Sequence, residues 1–429
     1  MKSLTKMNMV YFIIIIFIIA VSSNGEHHPP LKGMQYFSIT CKTQEQLSLL
    51  KSSTNNPNVL TLKLSHILGE SADILVTADE LSQFKNILSL HKIDYNIITD
   101  DVEHLVHQEF LQNNIARMQS SRTKLNKPSA EPFDYYPRYQ EMEEYITFLA
   151  KNYSKIVSFH SIGTTFQNRT LYVIKVSSGG NNKPQILIDA GIHAREWIAP
   201  STALYAIHQL VTNQNNTYLY KNVDWLIIPS LNPDGYEYTH SNYRFWRKTR
   251  SINEGSTCIG TDANRNFDLK WMTVGASSNP CSETYGGPKP FSEVETLALK
   301  NYVMANKKTI KAYLTLHSYG QYLLHPWGYT SDLPENEPEL RSIAEKAAAA
   351  LAAPFGTRYT IGSSTNVLYA AAGGSDDWLM GVAGANLSYT VELPGGRFDP
   401  PPSRIESVGI ETFEAFKIFQ AYIEKKFVN

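Results

Sequence analysis

Three short apolar runs, each ending in a chemically capable side chain, constrain this chain more than anything else in it. Residues 185–190 lead into Gly191-Ile192-His193-Ala194-Arg195-Glu196-Trp197. Residues 312–316 lead into His317, and residues 387–391 into Glu392. Runs this short and this apolar read as strands buried on both faces. Helical patterns lie between them, over residues 197–211, from Ser292-Glu293-Val294-Glu295 onward, over 339–352, and from Ser403-Arg404-Ile405-Glu406 onward. The last helix carries Val408, Thr412, Ala415 and Phe419 on one face. Strands alternating with helices predict an α/β fold with a mostly parallel or mixed sheet. In such sheets the ligand crevice lies outside the carboxyl ends of the strands. Two imidazoles and two carboxylates are therefore expected at one edge.

Their spacing suits a metal. His193 and Glu196 share a turn, and His317 arrives from a distant element. A catalytic zinc is commonly held this way, with His2Glu ligands and an open fourth position. Alone, His-x-x-Glu is a weak signal in a chain with 12 histidines. The shared strand-end position is what separates these residues from scattered core histidines.

With 429 residues, 42% of them hydrophobic, the chain exceeds one typical domain and can bury a large core. Its net charge of -1 argues against nucleic acid or an anionic membrane as partner. Lys2 and Lys6 precede an apolar run over residues 10–21, and Ala20-Val21-Ser22 offers small residues for cleavage. This reads as a secretory signal over residues 1–24, too short to span a bilayer comfortably. A secreted, extracellular protein with no membrane association after signal removal is expected. The chain has 3 cysteines. Cys258 and Cys281 make a plausible disulfide, which leaves Cys41 over. Sequons at Asn152, Asn168, Asn215 and Asn386 are glycan candidates.

Residues 35–110 read as a β-α-β-β-α-β unit, an open antiparallel sandwich. Its strands are expected at 35–41, 59–64, 72–76 and 95–98. Thr43-Gln44-Glu45-Gln46 and Thr77-Ala78-Asp79-Glu80 read as capping boxes opening its two helices. Between residues 108 and 131, Arg117, Arg122, Lys124 and Lys127 lie among Ser, Asn and Pro. That texture reads as an exposed linker open to a trypsin-like protease, with Arg122 the preferred cut. The expected division is signal 1–24, pro-segment 25–122 and catalytic domain 123–429.

The stretches around His193 and His317 join Asp262-Ala263-Asn264-Arg265-Asn266-Phe267, Pro290-Phe291-Ser292-Glu293, the run from Tyr369 to Trp378, and Thr390-Val391-Glu392-Leu393. Together they resemble the secreted zinc carboxypeptidases of the pancreatic A/B type, from about residue 133 to the end. The small α+β unit resembles that family's pro-segment. The resemblance implies an eight-stranded mixed sheet flanked by helices, preceded by the α+β pro-domain. It implies a zymogen that binds one zinc ion, acts on peptides with a free carboxyl terminus, and removes their last residue; a monomer is the default expectation. Residue by residue it makes His193, Glu196 and His317 the zinc ligands, Glu392 the general base and Arg247 the group that polarises the scissile carbonyl. It makes Asn264, Arg265 and Tyr369 the binders of the terminal carboxylate, with Arg195 an accessory substrate-binding arginine. It also pairs Cys258 with Cys281.

Asp376 is the specificity signal. Family members that remove Lys or Arg carry an acid at this pocket position, and those that remove apolar residues do not. A carboxylate left facing Phe or Leu would be desolvated without a partner, so carboxypeptidase B-like preference is expected. The loop after Glu392, Leu393-Pro394-Gly395-Gly396, departs from the pancreatic pattern. An A-type or broad-specificity carboxypeptidase is the alternative enzyme. An inactive peptide-binding homologue is the alternative outside enzymes, and Glu392 and Arg247 argue against it.

Overall fold

A computed structural model describes residues 28–53, 56–64, 67–124, 134–397 and 399–428. The expected signal segment lies outside these residues. The amino-terminal unit contains β1 (Gln35–Thr40), α1 (Gln44–Ser53), β2 (Val59–Lys63), β3 (Ser71–Val76), α2 (Leu81–Leu90) and β4 (Asp94–Thr99). Its sheet runs β2-β3-β1-β4, all antiparallel. Phe37, Ile39, Ile74 and Val76 pack with Leu47 and Leu50 of α1 and Phe84 and Leu88 of α2. Cys41 is buried in this unit and unoxidised. At the start of α1, Thr43 Oγ1 accepts from Gln46 N at 3.2 Å, and the Gln46 side chain accepts from Lys42 N at 2.8 Å.

Within the stretch 108–131 read as an exposed linker, residues 108–124 are instead part of α3 (Val102–Lys124), a long helix up to the edge of the described residues, and residues 125–131 lie outside them. Its buried positions Val102, Val106, Glu109, Asn113 and Ser120 recur every three, four or seven residues. Several of them are polar, so the stripe does not look amphipathic in hydropathy. Each polar member named next has a partner across the interface. Glu109 pairs with Arg244 at 2.6 Å, and Asn113 exchanges two bonds with the Tyr136 backbone at 2.7 and 3.1 Å.

The larger unit contributes α4 (Tyr139–Asn152), β5 (Val157–Thr164), β6 (Thr170–Val176), β7 (Gln185–Ala190), α5 (Ile198–Thr212), β8 (Asp224–Ile228) and α6 (Pro233–Ser241). It continues with α7 (Val294–Asn306), β9 (Ile310–Ser318), β10 (Tyr322–His325), α8 (Glu337–Phe355), β11 (Thr360–Ser363), α9 (Ser364–Val367), α10 (Ser375–Gly381), β12 (Leu387–Leu393) and α11 (Ile405–Phe427). Eight strands among the described residues form one sheet in the order β11-β10-β12-β9-β7-β8-β6-β5. The centre, β12-β9-β7-β8, is parallel, and β6 and β5 join antiparallel. One face packs on α4, α5, α8 and α11 through residues such as Ile146, Leu204, Leu340 and Phe416. The other packs on α7 and α10 through Leu187, Tyr313, Leu299 and Trp378.

β9 and β12 reach farther than their apolar cores. His317 and Glu392 lie inside these strands rather than after them. The capping box expected at Thr77 is absent. The Thr77 side chain caps no helix, nor do those of Ser292 and Ser403 at the other helix starts, and α2, α7 and α11 start from Glu80, Glu293 and Arg404. Ser292 Oγ is instead drawn to Asn266 Nδ2 at 2.9 Å and Glu293 Oε1 at 2.9 Å.

Candidate metal centre

Sheet register assembles the site. β12, β9 and β7 are neighbours and parallel, so their carboxyl ends lie side by side. Glu392 is directly opposite His317 across the β12–β9 pair. Beyond β7 the chain must turn sharply, and Gly191 does this at φ +66°. A Cβ there would also lie 3.0 Å from Pro200 Cγ. The turn is tied down by Ala194 N, which donates to Arg247 O at 3.0 Å.

His193, Glu196 and His317 converge, each buried. His193 Nδ1 lies 3.0 Å from Glu196 Oε1, His317 Nδ1 lies 3.1 Å from His193 Nδ1, and His317 Nδ1 lies 3.2 Å from Glu196 Oε2. Zinc–nitrogen and zinc–oxygen bonds of about 2.0–2.1 Å around a tetrahedron place neighbouring donors roughly 3.3–3.4 Å apart. The observed separations are close to those edges. Two imidazole nitrogens facing each other at this distance need a cation or proton between them, and a nitrogen-and-carboxylate set suits zinc. The residues present fit the ion.

His193 Nε2 is 3.1 Å from Asp262 Oδ1. The other Asp262 oxygen accepts from Arg247 Nε and Nη2 at 3.2 and 3.0 Å. One buried carboxylate thus orients a ligand and Arg247 together. Burial opposes its charge, but Arg247 and His193 outweigh that and hold its carboxyl well below the usual range. Asp262 heads the Asp-Ala-Asn-Arg-Asn stretch, yet the residue reading gave it no role. Burial also opposes the Glu196 charge, and the two histidines hold that carboxyl far down. Glu392 behaves oppositely: burial, with Glu196 adding to it, pushes it up to about 7 despite His317 and Arg247.

Asn264 and Arg265 lie in a 3-10 turn, Ala263–Arg265, whose first residues are pinned by Asp262 accepting from Asn264 N at 3.0 Å. Asn264 Oδ1 accepts from Ser375 N at 2.9 Å, at the start of α10. Arg265 donates to Gly275 O and Asn264 O at 3.0 and 2.8 Å, and its guanidinium carbon lies 6.0 Å from the Tyr369 ring centre. Asp376, on α10, is 6% exposed, and its Oδ2 accepts from Thr390 Oγ1 at 3.0 Å, with Ser364 Oγ at 3.4 Å. Its neighbour Asp377 does something different, accepting from Gly328 N at 2.8 and 2.9 Å. Burial and the adjacent Asp376 push Asp377 well up. Cys258 and Cys281 form a disulfide.

The amino-terminal unit meets this edge. Arg195 donates to Thr61 O of β2 at 3.2 Å and lies 3.6 Å from Glu283. Tyr319 bonds Asp73 of β3, and Tyr322 donates to Glu70 at 2.8 Å. Met34, Tyr36, Leu75 and Val106 pack against Ala194, Phe245, Trp246 and Tyr319.

A buried His2Glu centre beside a carboxylate and a guanidinium, at the carboxyl ends of a mixed sheet, defines a metal-dependent hydrolase. Residues 142–415 match the zinc carboxypeptidase family, and residues 37–109 match the carboxypeptidase activation peptide. The chain is 46% identical over 296 residues to a carboxypeptidase B of Astacus astacus, covering 67% of this chain and 97% of that one. It is 36% identical to the carboxypeptidase B of Homo sapiens, covering 93% and 94%. In structure it is similar to a carboxypeptidase A from Helicoverpa armigera, with a TM-score of 0.86, 29% identity and coverage of 94% and 100%. The chain belongs to the zinc carboxypeptidase family. It is a zinc-dependent carboxypeptidase carrying its activation peptide, a zymogen. No helix among the described residues is long and apolar enough to cross a membrane.

Proposed function

We propose that this enzyme removes carboxyl-terminal Lys and Arg. The observation that carries the reading is Asp376, a buried carboxylate whose hydrogen-bond neighbours are the hydroxyls of Thr390 and Ser364, with no cationic side chain among the described residues in an ion pair with it. A terminal ammonium or guanidinium would complete it with a charge-assisted bond. An apolar side chain would leave it desolvated and unpaired, a penalty of about 1–3 kcal/mol or more. The carboxypeptidase B names of the two relatives support the same direction.

In this reading Arg265, Asn264 and Tyr369 take the substrate's terminal carboxylate. The planar, permanently charged guanidinium suits that group. Arg195 contacts the substrate farther up the peptide, once freed from Thr61. Zinc supplies a Lewis acid and a water acidified toward neutral pH. Glu392 takes the proton of the attacking water and passes it to the leaving nitrogen as the C–N bond breaks. Arg247, held in place by Asp262, faces the oxygen on which negative charge grows.

The protein is secreted, loses residues 1–24, and is activated outside the cell by a trypsin-like protease cutting after Arg122. That bond lies in the last turn of α3, where fraying ends favour access. Amino-terminal sequencing of the activated enzyme should then start at Thr123, and a start far from it would reject the site.

The decisive assay compares release of Arg and Phe from otherwise identical peptides. Arg should be released far faster, and Asp376→Ile should weaken Arg release more than Phe release. Equal rates, or faster Phe release, would overturn the assignment.

A further inference from the structure

The two metal-centre histidines are held from behind in different ways. His193 Nε2 faces a carboxylate directly, whereas His317 Nε2 faces the Thr315 hydroxyl at 3.2 Å. Thr315 Oγ1 in turn lies 2.8 Å from Asp189 Oδ1. The Tyr313 hydroxyl bonds the other Asp189 oxygen. Tyr313, Thr315 and Asp189 are each 0% exposed. Their placement follows from strand geometry. Tyr313, Thr315 and His317 alternate onto one face of β9, and the β7–β9 register sets Asp189 opposite Thr315.

Counting protons gives this chain a direction. An ionised carboxylate only accepts, and a hydroxyl has one proton to give. Tyr313 gives its proton to one Asp189 oxygen and Thr315 gives its proton to the other. The Thr315 oxygen can then only accept, and among the described residues the group facing it from the metal side is His317 Nε2. A neutral imidazole carries a single N–H. With that N–H on Nε2, the lone pair lies on Nδ1, the atom 3.2 Å from Glu196 and 3.1 Å from His193 Nδ1.

We infer that Asp189, acting through the Thr315 hydroxyl, fixes the tautomer and ring orientation of His317 and thereby presents Nδ1 as the metal ligand. Asp189 and Thr315 are positioning residues and touch neither metal nor substrate in this role. Partners behind a metal-binding histidine commonly change metal affinity by about 10–100-fold. In this centre the support of one histidine is a carboxylate shared with Arg247. The other reaches its supporting carboxylate only through an intervening hydroxyl.

The test uses the full-length protein, with zinc affinity measured by competition with dipicolinate. Thr315→Val keeps the side-chain shape and removes the hydroxyl. It should weaken zinc binding about 10–100-fold, while Thr315→Ser should stay within about threefold of the parent. Merely lost packing would predict the reverse, since Val fills the site better than Ser. Nitrogen-15 spectra of the metal-free parent provide a check that needs no variant. Burial opposes the His317 charge, but Glu196 outweighs it and raises the imidazole to about 9 in the absence of metal, so the spectra are taken above that pH and should show the neutral ring protonated on Nε2. A neutral His317 protonated on Nδ1 alone, or a Thr315→Val protein binding zinc as tightly as the parent, would overturn the inference.

Discussion

Single residues carry the chemistry, and two carboxylates show how burial sets their states. Glu392 is pushed up to about 7 by burial. In the proposed role it is the one group that moves a proton. Glu392→Gln should lower kcat by about 10²–10⁴-fold, the usual scale for a general base, and leave bound zinc unchanged. Turnover near the parent value would place the base elsewhere. Glu295, at the start of α7, is 1% exposed, and burial with the nearby Glu293 charge pushes it up to about 8. A carboxyl raised on folding stabilises fully below its unfolded value near 4.5 and progressively less as pH climbs through 8. Unfolding free energy should therefore fall across that window. Glu295→Gln, neutral at every pH, should flatten the slope relative to the parent. Denaturant titrations at several pH values would measure it, and an unchanged slope would remove Glu295 from the account. His193, Glu196, His317 and Glu392 were legible because they close apolar runs. Asp262 was not. It sits in a loop with no periodicity, and its importance comes from two partners, His193 and Arg247, which are both distant in sequence.

Helix α3 shows what hydropathy misses at the scale of an element. Its inward face includes Glu109 and Asn113, residues that a pattern reader assigns to solvent. Their partners, Arg244 and the Tyr136 backbone, come from the other unit, so the helix is specified by tertiary contacts rather than by its own periodicity. The Arg244 guanidinium also stacks 3.9 Å over the Trp197 ring. The Glu109–Arg244 pair is nearly fully buried, with side chains 5% and 1% exposed. Breaking such a pair from one side costs about 3–5 kcal/mol, because the remaining charge is stranded. Glu109→Ala should lower zymogen stability by about that amount and loosen α3 toward proteolysis. A midpoint unchanged in urea would show that the pair is not holding the two units together. Strands behave more simply. Residues 185–190 were read correctly to the residue, since a mostly apolar run buried on both faces leaves little else to fit. The short strands β10 and β11, four residues each, give too brief a pattern to read.

In the whole molecule, the activation unit sits across the edge where the chemistry is concentrated. Its β2 backbone occupies Arg195, and its Asp73 and Glu70 hold Tyr319 and Tyr322. These polar contacts hold it alongside an apolar cluster in which Met34, Tyr36, Leu75 and Val106 pack against Ala194, Phe245, Trp246 and Tyr319. The overall architecture was legible because strand and helix patterns alternate. The docking of the two units was not, since it depends on side chains that pair only after both have folded. The account as a whole rests on a cation bound by His193, Glu196 and His317. The most direct measurement is zinc content and peptide hydrolysis of the activated enzyme before and after exhaustive chelation. The account predicts one zinc per chain, activity lost with the metal, and recovery when zinc is restored. Undiminished hydrolysis in protein stripped of metal would contradict it.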